Sequence, residues 1–254
     1  MIYKNLTITG KTDGFGCQYN AVLSGMAFCD KHNSYRYVHT PFYSVSHGYE
    51  SKENVDKLNQ LIGMPAGRAG KKIHAKYPYM KKVFNNINNY YTDSFISKVR
   101  SYYWNGKNAV DSDIVVHIRR GDMNKNYRLR GGTRYQTNDY YNKLIPRVIK
   151  PYPDHYKIVI HSEGDYSEFE SMTKGWPQSI INRLVWKLGK KFQADCEFDT
   201  ITAFHEMVCA KVLIQSKSGM SFTAGVLNKN DVYFMSKSIS IGQKIPLKDW
   251  KTIT

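Results

Sequence analysis

"DIVVHIRRGDM", residues 113–123, runs from a greasy stretch straight into two adjacent arginines, a glycine and an aspartate. Ile114, Val115, Val116 and Ile118 read as a short buried strand bounded by charge. Cations are costly to bury unless paired. His117, Arg119, Arg120 and Asp122, set where this strand leaves the core, are therefore expected to face a mouth rather than a packed interior. Period-two alternation groups His117 with Arg119 and turns Arg120 elsewhere. The plainer alternative is a strand end with a solvated basic turn and an Arg–Asp ion pair.

Strand and helix signals alternate on both sides of this stretch. Upstream, "NLTIT" (5–9) reads as a strand, "GKTDGFG" (10–16) as a turn, and residues 18–30 as a helix of small and apolar residues. "YRYVHTPF" (35–42) reads as a second strand and 53–62 as a short helix. "GMPAGRAGKK" (63–72) is the clearest glycine-rich loop, and 80–104 is helical and aromatic-rich. Downstream come a helix at 139–149, the strand "YKIVIHSE" (156–163) and a helix at 200–210. "KVLIQSKSG" (211–219) then reads as a strand with a polar end, "MSFTAGVL" (220–227) as a short helix and "DVYF" (231–234) as a small strand. The alternation predicts parallel α/β sheets, in which ligands collect outside the carboxyl ends of the strands.

A chain of 254 residues has room for two such lobes, with a boundary expected near 110/111. Neither the first residues nor any later stretch has the long apolar core of a secretory signal or membrane helix, so a soluble, cytoplasmic chain is expected. The net charge of +16, from 37 Lys+Arg against 21 Asp+Glu, favours an anionic partner. The charge is spread along the chain without a basic tail or zinc-finger spacing, which speaks against a nucleic-acid reader. Cys17, Cys29, Cys196 and Cys209 form no CxxC pair, so reduced thiols are expected and metal-ligand spacing is absent.

Three strand ends carry candidate anion sites, and a fourth carries an acidic one. Asp13, Gly14, Phe15 and Gly16 form a turn ahead of a helix whose N–H groups could meet an anion. His117, Arg119 and Arg120 follow the central strand, and a guanidinium can clamp a diphosphate with paired hydrogen bonds. Ser216, Ser218 and Ser221 offer a second anion cradle before a short helix, or simply its N-cap. Glu163, closing "IHSE", suits the N–H donors of a guanine edge or sugar hydroxyls. "DSD" at 111–113 has the form of a divalent-metal motif but precedes a strand, where its carboxylates more naturally start the element.

In this order, the glycine turn, HxRRxD over residues 117–122 and the late "SKSGMSFTAG" resemble the fucosyltransferase superfamily. The resemblance spans most of the chain, with strong identity confined to 114–122. Cys17-Gln18 stands where Asn-Gln is usual, Met123 where an aromatic residue is frequent, and Gly219-Met220 where serine and aromatic residues are common.

The resemblance implies a GT-B-like fold, two Rossmann-like lobes with a cleft between them. Residues 1–110 would form the acceptor side and 111–254 the nucleotide-sugar side. It also implies GDP-fucose as donor, a carbohydrate acceptor, inversion at the anomeric carbon, and no metal or other cofactor. Carried over by motif, His117 contacts the nucleotide and Arg119 the β-phosphate, while Arg120 holds the loop or assists at the phosphate. Asp122 orients the pair or stands near the acceptor. Gly14, Phe15 and Gly16 lie under the diphosphate, and Ser216, Ser218, Ser221 and Phe222 face the nucleotide.

Asp122 and Asp13 are the candidate general bases, and the stretch from Tyr43 to Lys82 is the candidate acceptor pocket. Alternatives are another nucleotide sugar such as UDP-xylose, a basic nucleic-acid-binding module, or a lectin without chemistry. The lectin leaves the double arginine unexplained.

Overall fold

The computed structural model describes residues 3–9, 12–46, 51–67, 72–75, 78–121, 123, 134–189, 199–235 and 247–253, with 72–75 and 78–80 described by their backbone. The chain divides into two compact units. Met1–Ala109 with Ser240–Trp250 form the first, and Val110–Ile239 with Lys251–Thr254 form the second. The second passage at 240–250 has no counterpart in the single boundary read from the sequence.

The first unit is built on three parallel strands, β1 (Lys4–Ile8), β2 (Tyr35–Tyr37) and β3 (Lys72–Ala75), in the order β2-β1-β3. Helix α1 (Phe15–Lys31) joins β1 to β2 and is buried along most of its length. It lies close on the sheet: a Cβ at Gly25 would stand 2.8 Å from the Ile8 side chain and 3.2 Å from the Tyr37 ring. Helix α2 (Lys52–Ile62) is capped by Ser51, whose hydroxyl accepts from Asn54 N at 3.2 Å, and ends at Gly63 with φ 65°. The aromatic stretch expected as one helix is three, α3 (Pro78–Asn85), α4 (Ile87–Tyr90) and α5 (Asp93–Trp104). Thr92 restarts the last of them by accepting from Phe95 N.

The second unit carries a six-stranded, wholly parallel sheet of β4 (Ile114–His117), β5 (Ile158–Glu163), β6 (Leu184–Gly189), β7 (Val212–Ile214), β8 (Asp231–Met235) and β9 (Lys251–Ile253). Their spatial order is β6-β5-β4-β7-β8-β9. Counted from the unit's own first strand this is 3-2-1-4-5-6, the doubly wound order of nucleotide-binding sheets. The α/β class expected from sequence is present, with a parallel sheet in each unit.

Helix α6 (Asn138–Ile149) follows β4, α7 (Gln178–Ile181) precedes β6, α8 (Thr200–Cys209) precedes β7 and α9 (Gly219–Leu227) follows it. Alternate residues of β4, Ile114 and Val116, join Ile118, Ile145, Ile160 and Ile214 in the main core. Period two therefore turns Val115 and His117 to the opposite face of the sheet. Order reverses between β4 and β7, so the crevice at a topological switch point lies at the carboxyl ends of these two strands.

Candidate functional site

The carboxyl ends of β4 and β7 meet through two side-chain contacts. His117, the last residue of β4, places Nδ1 2.7 Å from the hydroxyl of Ser216 just beyond β7. Two residues further on, Arg119 donates from Nη1 to Ser218 Oγ at 3.2 Å. Ser218 is also the N-cap of α9, accepting from Met220 N at 3.3 Å. Ser221 is fully buried and stitches the loop from beneath: its hydroxyl donates to Ser216 O and accepts from Ser216 N, both at 3.2 Å. The two later strand ends singled out in the sequence thus converge at the switch point. Ser221 lies beneath the loop that carries Ser216 and Ser218.

The two arginines part company, as the alternation requires. Arg119 is half-buried at the rim, whereas Arg120 is 3 % exposed. The Arg120 guanidinium lies 4.4 Å from the Tyr135 ring centre, with Phe169 at 5.6 Å and Tyr141 at 5.8 Å. It donates to Asn138 Oδ1 at 2.9 Å and to Arg119 O at 3.1 Å. Of the two roles the motif offered it, this geometry is that of an anchor for the loop. Gly121 follows with φ 72°, and a Cβ there would fall 1.5 Å from Glu163 Oε2. The left-handed backbone favours glycine, and its missing side chain leaves room for the Glu163 carboxylate beside the loop that carries Arg119. Asp122 lies outside the described residues.

A polar layer, buried at His161 and partly exposed at Lys187, lies beside this junction. His161 pairs in register with His117 on the neighbouring strand and is 1 % exposed. Its Nε2 is 2.7 Å from Glu206 Oε2, and the other oxygen of Glu206 accepts from Lys187 at 2.5 Å. Burial works to raise the Glu206 pKa, but the hydrogen bonds from His161 and Lys187 outweigh it and hold the carboxyl below its usual range. For His117, burial first, then the charges of Arg119 and His161, push the pKa down to about 3.

The imidazole of His117 is thus neutral at physiological pH, a hydrogen-bonding group and not a charge. Between its folded value and the ordinary 6.5, the unfolded chain binds a proton that the folded chain does not. Stability should therefore fall as pH drops below about 6.5, by roughly 1.4 kcal/mol per pH unit from this group. In His117→Gln that part of the acid slope should vanish, which thermal melts from pH 7 to pH 4.5 would read.

In the first unit, Asp13, Gly14, Phe15 and Gly16 follow β1, the central strand, and Gly14 is the N-cap of α1. The turn is pinned by Gln18, whose amide donates to Asp13 O at 2.6 Å and to Ser44 O at 2.7 Å. Gly14 has φ −58°, open to any residue, so the turn does not depend on glycine's left-handed freedom. Phe15 is turned into the core against Tyr19 and Phe42, and Phe222 is buried on α9. Both rings pack in the interior, where the resemblance implies a place under the diphosphate for Phe15 and beside the nucleotide for Phe222. The Asp13 carboxylate is exposed and accepts from the Cys17 thiol at 3.3 Å.

No family model and no curated protein matches the sequence. Among solved structures the chain is similar to an E. coli heptosyltransferase, WaaC, with ADP. The identity is 9 %, over 99 % of this chain and 66 % of that one, with a TM-score of 0.37. This chain thus spans just under two thirds of that enzyme's length.

The "DSD" of 111–113 sits at the amino end of β4, the far end from His117. Its carboxylates hold Lys211, at 2.6 Å from Asp113 and 3.4 Å from Asp111, and Asp113 also accepts from Lys157 N. Among the described residues no cluster of three or more metal-ligating side chains occurs, and no helix is long and apolar enough to cross a membrane. Among the described residues Cys17, Cys29 and Cys209 form no disulfide, and Cys196 lies outside them.

The first unit also holds an open cavity of about 930 Å³. Met64, Pro65, Ala66 and Gly67, from the stretch proposed for the acceptor, form one wall, and Tyr35 and Tyr102 add aromatic surface. His161, Glu206 and Lys187 belong to none of the motifs read from the sequence. A histidine inside the otherwise apolar run "IVIHS" was the available signal for the first.

Proposed function

We propose that this chain is a GT-B-like inverting glycosyltransferase that moves a sugar from a nucleotide donor onto a carbohydrate hydroxyl. GDP-fucose is the donor to which the HxRRxD resemblance points. The observation that carries the reading is the junction of β4 and β7, where His117 meets Ser216 and Arg119 meets Ser218 at the switch point of a doubly wound sheet.

The chemistry asks little more of the protein. The acceptor oxygen bonds to the anomeric carbon as the bond from that carbon to the β-phosphate oxygen breaks. The electron pair passes to the phosphate and the acceptor proton to a base. Asp13 and Asp122 are the candidate bases. A guanidinium fixed at the departing phosphate stabilises the transition state more than the ground state, because charge grows there as the bond breaks. Neutral His117 adds a hydrogen bond without adding charge.

Thermal shift against GDP, UDP and their sugars tests the binding, since a ligand at 100 times its Kd adds about 2.7 kcal/mol. GDP and GDP-fucose should raise the melting temperature more than their uridine counterparts. NMR of the transfer product should show the inverted anomer. A protein that no nucleoside diphosphate stabilises is not this enzyme.

A further inference from the structure

We propose that the open cavity of the first unit is a saccharide-binding site that works without a nucleotide. The cavity follows the outer edge of β2, a strand that among the described residues pairs only with β1. Tyr3 and Asn5, at the amino end of β1, reach its lining. Ile8, which ends β1, and the turn of Asp13–Gly16 beyond it do not. The cavity thus runs along the side of this sheet and not across the carboxyl end of its central strand, where α/β sheets collect ligands. Its volume of about 930 Å³ is that of a ligand cleft.

The deciding residue is Asn5. It stands half-buried on the central strand, in register with Arg36 on β2, so the two side chains share one face of the sheet. Among the described residues neither the Asn5 amide nor the Arg36 guanidinium has a hydrogen-bond partner. Asparagine is a poor strand former, and a half-covered amide that bonds nothing adds little to the sheet. That amide offers an acceptor and two donors, which match sugar hydroxyls that donate and accept at once, and Arg36 adds donors beside it. Tyr3, 50 % exposed, and half-buried Tyr35 and Tyr102 supply ring faces against which the C–H faces of a sugar ring can pack. The charge balance points the same way. Lys98 and Asp30 pair at 3.0 Å, which leaves Arg36 as the uncompensated charge among the described lining residues. An anionic polymer needs several cations along its path, so this cavity, in a chain of net charge +16, suits a short neutral or mildly acidic oligosaccharide.

The test titrates cellohexaose, chitohexaose, mannohexaose and hexagalacturonate into the intact protein by calorimetry, with no nucleotide present. At least one should bind saturably. Asn5→Leu, Arg36→Ala and Tyr102→Ala should each weaken that binding by about 3- to 10-fold, the loss typical of one hydrogen bond or ring contact. The double variant Asn5→Leu with Tyr102→Ala should lose about 10- to 100-fold if the two contacts add. Without ligand, Asn5→Leu should melt no lower than the native protein, because its amide gives up no bond within the chain. The thermal shift produced by GDP should be the same in every variant.

Failure of all four oligosaccharides to bind, or binding that the three substitutions leave undiminished, would overturn the inference. So would a lower ligand-free melting temperature in Asn5→Leu with saccharide binding intact, the mark of a structural amide. An exposed strand edge can also take an added strand. Binding of reduced, carboxymethylated lactalbumin that the same substitutions weaken, with no sugar bound, would make β2 such an edge and overturn the inference as well. None of these outcomes disturbs the nucleotide-sugar reading, and absence of a GDP shift in the native protein would strike that reading and leave this one standing.

Discussion

Arg119→Ala is expected to lower the rate of sugar transfer by about 100- to 1000-fold, the 3–4 kcal/mol typical of one lost electrostatic partner of a transition state. The fold should survive. The Arg119 side chain is half-buried at the rim, and its contact to Ser218 is one hydrogen bond of 3.2 Å to a serine that keeps its cap to Met220 N. The melting temperature without ligand should therefore move little. The loss should fall on kcat more than on KM for the acceptor, because the guanidinium acts on charge that develops in the reaction. Arg119→Lys should recover only part of the rate, since an ammonium lacks the fork that holds two phosphate oxygens at once. Near-native turnover in Arg119→Ala would remove this residue from the chemistry.

The junction was readable in sequence because each of its strands is a run of apolar residues that stops at a polar cluster. "IVVHI" and "VLIQS" are buried on both faces, so the change of composition marks the place where the chain leaves the sheet. Where burial is partial, the signal fades. Strand β6, "LVWKLG", carries no such mark: Val185 is 37 % exposed and most of its neighbours are half-buried. Strand β9 has three residues and gains its place by pairing with β8, a contact remote in sequence. β2 ends at Tyr37, earlier than the apolar pattern to Phe42 implies, and the chain continues as an irregular segment held by Asn59, which bonds both the N–H and the C=O of Phe42.

Within the site, residue type was legible and orientation was not. Phe15 and Phe222 stand inside motifs that resemble ligand-facing ones, yet both helices turn these rings inward. Alternation is a local rule and separated Arg119 from Arg120 correctly. The helical faces of α1 and α9 are set by what packs upon them, which one sequence does not disclose. The layer of His161, Glu206 and Lys187 was hidden for the same reason, since it joins three elements across as many as 45 residues.

Arg120→Ala should give the opposite result from its neighbour, a large loss of stability. The guanidinium is 3 % exposed and packs among Tyr135, Tyr141 and Phe169, and its acceptors among the described residues, Asn138 Oδ1 and Arg119 O, are neutral. A desolvated cation over aromatic faces contributes about 2 kcal/mol or more, and truncation also leaves a cavity and two unmet acceptors. These costs overlap, so about 3–5 kcal/mol is expected in total, or roughly 10 °C in melting temperature for a chain of this size. Lysine should not rescue it, because a point charge on a flexible stem can neither stack on the rings nor reach both acceptors. Below the lowered melting temperature the variant should still bind nucleoside diphosphate, more weakly, because Arg119 loses the bond that steadies its backbone. The contrary outcome, an unchanged melting temperature with nucleotide binding abolished, would mean that the buried arginine of the pair is the one that meets the ligand.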